Sequence, residues 1–383
     1  MNLAIVNLTA GGLSGGYVKY LRNVVPRLAA DPRIHRLEVG LPPQAPAGLV
    51  PGVPTFTWPL DDARRAYRGL KAGLARLDPD VLFIPTARWL DAGGVPTVVM
   101  VRNMEPLTVP FAGNTVLEGV KNLARARAAR VACRRATRVL AVSEHVRDFL
   151  ALRWNLAPGK IGVVYHGVEP PAEGAAPVSP AALAASGSAP FLFTAGSIRP
   201  ARGLDDAIRA LALPPDGHPL PRLVIAGRPD PGTRRYQRRM TGLAGSLGVS
   251  GRVVWTGQLT EPEMAWCFRH CEAFVMTSRA EACPNVALEA MSHGCRVVST
   301  GQPPMPEFFG AAARYYRGGD ARDLARAVRE LLDERPEASR DRREAARARA
   351  AGFRWADTAA RTIDELARAA ASRRDGKGAA WTT

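Results

Sequence analysis

At 383 residues the chain has room for two domains of ordinary size, and 46% hydrophobic against 23% charged residues is the balance of a globular protein with a core in each. No run of 18 apolar residues occurs, which argues against a membrane-spanning helix, and the start MNLAIVNLTAGG lacks a basic head, so it reads as a buried strand and not a secretory signal. The formal net charge of +17 leaves three readings: a nucleic-acid partner, an anionic membrane surface, or an arginine-rich composition with no partner of its own.

In chain order, LAIVNLT from Leu3 predicts a strand, Tyr17 to Ala30 a helix and Arg36 to Leu41 a strand. Val81 to Ile84, Thr97 to Val101, Val139 to Val142 and Ile161 to Val164 predict further short apolar strands. Strands of this kind alternating with helices imply a parallel sheet covered on both faces. Glu169 to Pro190 is rich in Pro, Ala, Gly and Ser, has little to bury, and reads as a linker. The pattern then restarts with FLFTAGS, a helix from Leu204 to Ala212, RLVIAG, RVVWTG, AFVMTS and RVVST. From Ala321 the chain reads as helical, with Leu324, Val328, Leu331 and Leu332 on one face, then a last helix from Ala356 to Ala371 and a frayed end, SRRDGKGAAWTT. The expected division is therefore 1–168, a linker at 169–190, 191–354, and a closing helical segment at 355–383. Ligands of such sheets bind at the C-terminal strand ends, here expected in a cleft between the halves.

Five scattered cysteines, Cys133, Cys267, Cys271, Cys283 and Cys295, do not form a disulfide framework, and Cys267 and Cys271 on one helix face read as buried thiols, not a metal pair. The arginines are spread along the chain, which weakens a dedicated nucleic-acid site. The densest stretch, Lys121 to Arg138, has no acidic residue and predicts one helix. It is either a solvated face or a surface for anionic phospholipid or a phosphate-bearing acceptor. Asp78-Pro79-Asp80 stands where a turn leads into a strand, so no metal is expected there, and His166 and His293 read as loop and surface histidines.

The most informative segment is SRAEACPNVALEAMSHGCRVVST, from Ser278 to Thr300, flanked by two strands. Pro284 suits the first turn of a helix that runs through Glu289, and Gly294 suits its C-terminal cap. Glu281 then lies in the loop before the helix. The helix start near Asn285 and Val286 offers unpaired backbone N–H groups and a positive dipole end, a place for a diphosphate. The two carboxylates suit sugar hydroxyls.

Glu281 and Glu289 stand in an E-x7-E frame, and the wider string EACPNVALEAMSHGCRVV resembles the donor-site signature of glycosyltransferase family 4, the retaining GT-B enzymes also called glycosyl transferases group 1. GSIRPARGLDDAIRAL from Gly196 is similar to the family's strand–loop–helix after the linker, with Ser197 where relatives often carry Arg and Arg202 where they carry Lys. Gly11 to Gly16 resembles the N-terminal glycine loop, and VVMVRNMEPL from Val98 a variant segment with Arg102, Asn103 and Met104 where many members carry His-Asp. AVSEHVRDFL, VVYHGVE, RVVWTGQLTEPEMAWCFRHCEAFVMTS and GFRWADTAARTIDEL also match in order, so the resemblance covers nearly the whole chain.

The resemblance implies two Rossmann-like α/β domains facing each other across a cleft, the GT-B architecture: an acceptor domain over 1–168, a nucleotide-sugar domain over 191–354, and a final helix, 355–383, crossing back. It implies a cytoplasmic enzyme that moves a sugar from a nucleotide diphosphate sugar to a glycan, lipid-linked or small-molecule acceptor, retaining configuration, with no cofactor and no metal. Glu289 would hold the ribose and Glu281 the transferred sugar, while Arg199, Arg202 and the helix start at Cys283, Pro284, Asn285 and Val286 would take the diphosphate. Gly15 and Gly16 would let a substrate approach the backbone. Arg102 and Asn103 either hydrogen-bond the sugar or leaving group or shape their loop. A non-catalytic nucleotide- or glycan-binding protein on the same fold and a basic nucleic-acid-binding protein are the rival readings, with no nucleic acid expected. A peripheral position on the inner face of the membrane accompanies the phospholipid reading of the basic helix.

Overall fold

The computed structural model of the chain describes residues 1–8, 15–57, 63–111, 113–171, 176–184 and 189–379. Its backbone groups into two compact units. Unit 1 comprises Met1–Asn103, Ala124–Gly167 and Arg354–Thr383; unit 2 comprises Met104–Leu123 and Val168–Phe353. Segment 104–123 thus groups with the second unit, although sequence order puts it in the first half.

Unit 1 is built on seven parallel strands: β1 (Asn2–Val6), β2 (Arg36–Leu41), β3 (Thr55–Thr57), β4 (Val81–Ile84), β5 (Thr97–Val101), β6 (Arg138–Ala141) and β7 (Ile161–Val163). They lie in the order β3-β2-β1-β4-β5-β6-β7. Leu3 of β1 registers against Leu37 on one side and Val81 on the other. The central strands β4 and β5 are wholly buried, which is why their sequences VLFI and TVVMV carry no polar alternation. The long C-terminal helix Trp355–Ala379 packs on the first helix, Gly15–Ala29, and on β4, β5 and β6. Trp355, Ala359, Ile363, Leu366 and Ala369 are its buried apolar residues, spaced by three or four along one stripe. Glu365, on the same helix, is buried and paired with Arg138 at the start of β6.

Unit 2 repeats the plan with β8 (Phe191–Ala195), β9 (Arg222–Ala226), β10 (Val253–Gly257), β11 (Ala273–Met276), β12 (Val297–Thr300) and β13 (Ala313–Tyr316), ordered β10-β9-β8-β11-β12-β13 and all parallel. One face is covered by helices Leu204–Leu211, Arg234–Ser246 and Ala321–Leu332, whose Ile208, Met240, Leu324, Val328 and Leu331 join Leu223, Ile225 and Val275 in one core. Leu332 packs at its margin, only partly buried. Part of the Pro-, Ala-, Gly- and Ser-rich segment is also packed: Leu183, in the short helix Ala181–Ala184, is buried, and this helix lies against β10. The two sheets are those of the GT-B architecture, two Rossmann-like parallel-sheet domains.

The edge strands β3 and β13 are absent from the sequence reading. The five cysteines are free thiols: Cys133, Cys267, Cys271 and Cys295 are buried and Cys283 half-buried. Burial pushes the Cys133 and Cys267 thiols up to about 12, so they behave as core residues. His166 lies in the loop after β7, as read, but is buried there, beside the rings of Tyr20 and Trp355, 5.1 and 6.0 Å away. His293 lies half-buried beside the Phe268 ring. Asp80 leads into β4 and accepts a hydrogen bond from the Asn2 N–H at 2.8 Å, tying β4 to β1.

Candidate functional site

In the second sheet the strand order reverses between the neighbours β8 and β11. Loops that leave such a switch point at the C-terminal ends diverge and leave a crevice, the usual ligand position in open parallel sheets. Here they are residues 196–203 and 277–284, and each supports the other. The Arg279 N–H donates to the Ala201 carbonyl at 2.8 Å, and the Thr277 hydroxyl to the Arg202 carbonyl at 2.7 Å. Gly203 has φ +59°, and a Cβ there would stand 2.3 Å from the Thr277 carbonyl oxygen. Gly227, after β9, has φ +137°, and a Cβ would lie 1.9 Å from the Gly196 carbonyl oxygen. Only glycine fits either place.

This backbone holds two arginines. Arg202 donates through Nη1 to Glu281 Oε1 at 2.6 Å and to the Ser278 hydroxyl at 3.3 Å. Arg199 pairs through Nη1 with Glu105 Oε2 at 3.0 Å. The Nε of each is buried with no hydrogen-bond partner among the described residues. Burial pushes the Arg202 guanidinium below its ordinary value; Glu281 opposes the shift and Arg199 adds to it. A buried donor left unpaired costs about 1–3 kcal/mol, so an arriving anion with acceptor oxygens would recover that cost twice. Glu281, expected at the transferred sugar, is here the partner of the expected phosphate cation Arg202.

The helix expected after Glu281 spans Asn285–Ser292, with Glu289 in its second turn. Pro284 is its N-cap residue, not a member of the first turn, because the Ala287 and Leu288 N–H groups both bond back to the Pro284 carbonyl. The expectation of unpaired N–H groups at Asn285 and Val286 holds for one of the two. The Asn285 N–H donates to the Cys283 carbonyl at 3.0 Å, and the Cys283 thiol donates to Asn285 Oδ1 at 2.9 Å. Among the described residues no carbonyl accepts from Val286 N–H. Ala287, Leu288, Ala290 and Met291 are buried and seat the helix, leaving Glu289 on its half-buried side.

Thus Arg199, Arg202, Glu281, Cys283, Pro284, Asn285, Val286 and Glu289 all belong to unit 2. Gly15, Gly16, Arg102 and Asn103 belong to unit 1. Gly15 and Gly16 open the helix Gly15–Ala29, while Gly11 to Ser14 lie outside the described residues. Arg102, directly after β5, sets its guanidinium 4.3 Å from the ring centre of Tyr17, beside those glycines. Burial pushes the Tyr17 phenol well above its usual range, against the opposing field of Arg102. Asn103 is exposed. Sequence reasoning missed Glu105, Ser278 and Tyr17. Only Tyr17 carried a signal, as an aromatic beside the glycines.

A family model described as glycosyl transferases group 1 matches residues 178–349, and one described as glycosyltransferase family 4 matches residues 14–170. A D-inositol 3-phosphate glycosyltransferase from Mycolicibacterium gilvum is 30% identical over 175 residues, covering 45% of this chain and 38% of that protein. The chain spans about half or less of the length of the curated relatives it matches. A sucrose-phosphate synthase from Thermosynechococcus elongatus superposes with a TM-score of 0.76 at 19% identity, over 96% of this chain and 98% of that one. Anabaena HepE, solved in complex with UDP and glucose, superposes with a TM-score of 0.75 at 18% identity, over 96% and 100%. With both sheets in Rossmann order and the two family models matching consecutive parts of the sequence, the chain belongs to glycosyltransferase family 4, the glycosyl transferases group 1.

Proposed function

We propose that this chain is a glycosyltransferase that moves a sugar from a nucleotide diphosphate sugar to a glycan, lipid-linked or small-molecule acceptor, with retention and with no resident metal. The observation that carries the reading is the pair Arg199 and Arg202, each with a buried unpaired Nε at the switch point of the second sheet, with Arg202 clasped to Glu281. The curated relatives named as glycosyltransferases support it, as do the UDP and glucose held by the Anabaena structure.

In the reaction the acceptor hydroxyl forms a bond to the anomeric carbon, the bond from that carbon to the diphosphate breaks, and the departing phosphate oxygen takes the acceptor's proton. Negative charge grows on the leaving group. Arg199 and Arg202 would meet it with guanidinium donors, and Val286 N–H with the helix dipole. When phosphate draws Arg202, Glu281 is released toward the sugar hydroxyls. Glu289 would accept from the ribose hydroxyls. The cytoplasmic location and a peripheral position at an anionic membrane belong to the same proposal.

The test is calorimetric titration of the chain and of Glu289→Ala with UDP, GDP, ADP and TDP. One nucleotide is expected to bind, and the variant to lose about tenfold to a hundredfold in affinity, the value of hydrogen bonds to a charged group. Binding of none, or equal binding by the variant, overturns the assignment.

A further inference from the structure

Four charges meet at the switch point of the second sheet: Arg199 and Arg202, with the carboxylates of Glu105 and Glu281 paired to them at 3.0 and 2.6 Å. They act on one another. Burial lowers the Arg202 guanidinium below its ordinary value and Arg199 lowers it further, while Glu281 and Glu105 both oppose the shift. Two guanidiniums against two carboxylates leave this group of four neutral. A diphosphate adds negative charge, and carboxylates at salt-bridge distance from the arginines repel it. In the proposed reaction Glu281 turns to the sugar hydroxyls. Glu105 has no substrate group to turn to.

The Glu105 pair is built into the second unit. Met104 and Pro106, on either side of it, are buried. The Val109 N–H bonds back to the Glu105 carbonyl at 3.1 Å, and the Thr108 N–H and hydroxyl both donate to the Met104 carbonyl at 3.0 Å. Only 11% of the Glu105 side chain is exposed, and 27% of Arg199, so water and salt screen the pair little. A carboxylate and a phosphate offer guanidinium the same kind of charged acceptor oxygens. Here the carboxylate takes Nη1 of Arg199, and Nε stays without a hydrogen-bond partner among the described residues. A phosphate that engaged both nitrogens would replace a single contact with a fork.

We infer that Glu105 is an internal competitor for the donor: its carboxylate occupies the place on Arg199 that a phosphate takes, and an anion binds only when its own contacts outweigh that pair. The observed affinity of any such anion is then its intrinsic affinity reduced by the fraction of chains in which Arg199 is released. Inorganic phosphate and pyrophosphate, with no ribose or sugar to add contacts, fall below this threshold first. The same carboxylate helps expel the nucleotide after transfer. The inference rests on the donor site proposed above and names what controls entry to it.

The experiment is calorimetric titration of inorganic pyrophosphate, with UDP, GDP, ADP and TDP in parallel, into the full chain, Glu105→Gln, Arg199→Gln and the double variant. Glu105→Gln keeps the size of the side chain and removes its charge. It should bind pyrophosphate about tenfold or more tighter than the unaltered chain, and the nucleotide tighter by a similar factor. With Arg199→Gln already present, Glu105→Gln should bring no such gain. A carboxylate that merely orients Arg199 gives the opposite sign, since its loss would weaken both ligands. Where thermal melting shows Glu105→Gln to be unfolded, Glu105→Asp takes its place: it withdraws the charge by one methylene and should show a smaller gain in the same direction. Absent, unchanged or weaker pyrophosphate binding by the variant, or a gain that persists without Arg199, overturns the inference. A nucleotide bound by the unaltered chain with no gain in the variant sinks this inference alone. Tighter pyrophosphate in the variant with no nucleotide bound by either keeps the competing carboxylate and sinks the nucleotide-sugar reading.

Discussion

Around Arg199 and Arg202 the chain is held by backbone positions that admit no side chain. Gly227 follows β9 with φ +137° and faces the Gly196 carbonyl, whose own residue begins the loop that carries both arginines. An L-residue with that φ is strained by about 1–3 kcal/mol before any collision is counted. Gly227→Ala should therefore lose at least about 2 kcal/mol in urea unfolding. A loss within about 0.5 kcal/mol, the range of neutral surface changes, would show that the loop has another way to sit. At this scale the sequence put Glu281, Glu289 and Arg202 forward as candidates, because one loop–helix segment and one glycine-flanked loop carry them. Glu105 was invisible there: it meets Arg199 through tertiary folding, and no local pattern links positions so distant. The pairing of Arg202 with Glu281 was equally hidden, since each read as a ligand for substrate and neither as a ligand for the other.

Among the elements, the ones lost to sequence reasoning lie at the sheet edges. β3 has three residues, two of them exposed, and β13 reads ARYY with half-buried members. An edge strand needs neither an apolar run nor strict alternation, so its composition merges with that of a loop. Yet β13 is tied firmly inward. Asp206, on the helix Leu204–Leu211, accepts from the Tyr316 hydroxyl at 3.0 Å and from the Gly319 N–H at 2.8 Å. Burial raises the Asp206 carboxyl above its usual range, although both hydrogen bonds oppose the shift. The sign follows from proton binding. With the folded value above the unfolded one, the native state holds more protons between them, and this contribution to stability falls as pH rises through that window. The stability advantage of the native chain over Asp206→Asn should thus shrink from acid toward neutral pH. Paired melting curves at several pH values check this, and an advantage that grows with pH would refute it.

For the molecule as a whole, the C-terminal helix is part of unit 1 although it follows all of unit 2 in sequence. Trp355, Ile363 and Leu366 are buried in that unit. At about 1.5–3 kcal/mol for each large apolar side chain, their removal costs about 5 kcal/mol or more, comparable with the net stability of a domain. A chain cut before Trp355 should lose amide hydrogen-exchange protection in β4, β5 and β6 and keep it in β8, β11 and β12. Retained protection in β4 to β6 would contradict this. What the sequence by itself determined is the local content: two series of short apolar strands, the loop–helix with its two glutamates, and the family these imply. Such features rest on neighbouring residues and on the periods of strand and helix. Only the tertiary structure decided that segment 104–123 groups with unit 2, that Arg199 and Arg202 are each held by a carboxylate, and that His166 is buried. Those depend on which distant surfaces are covered, and burial is a property of the folded whole that no short window of residues carries.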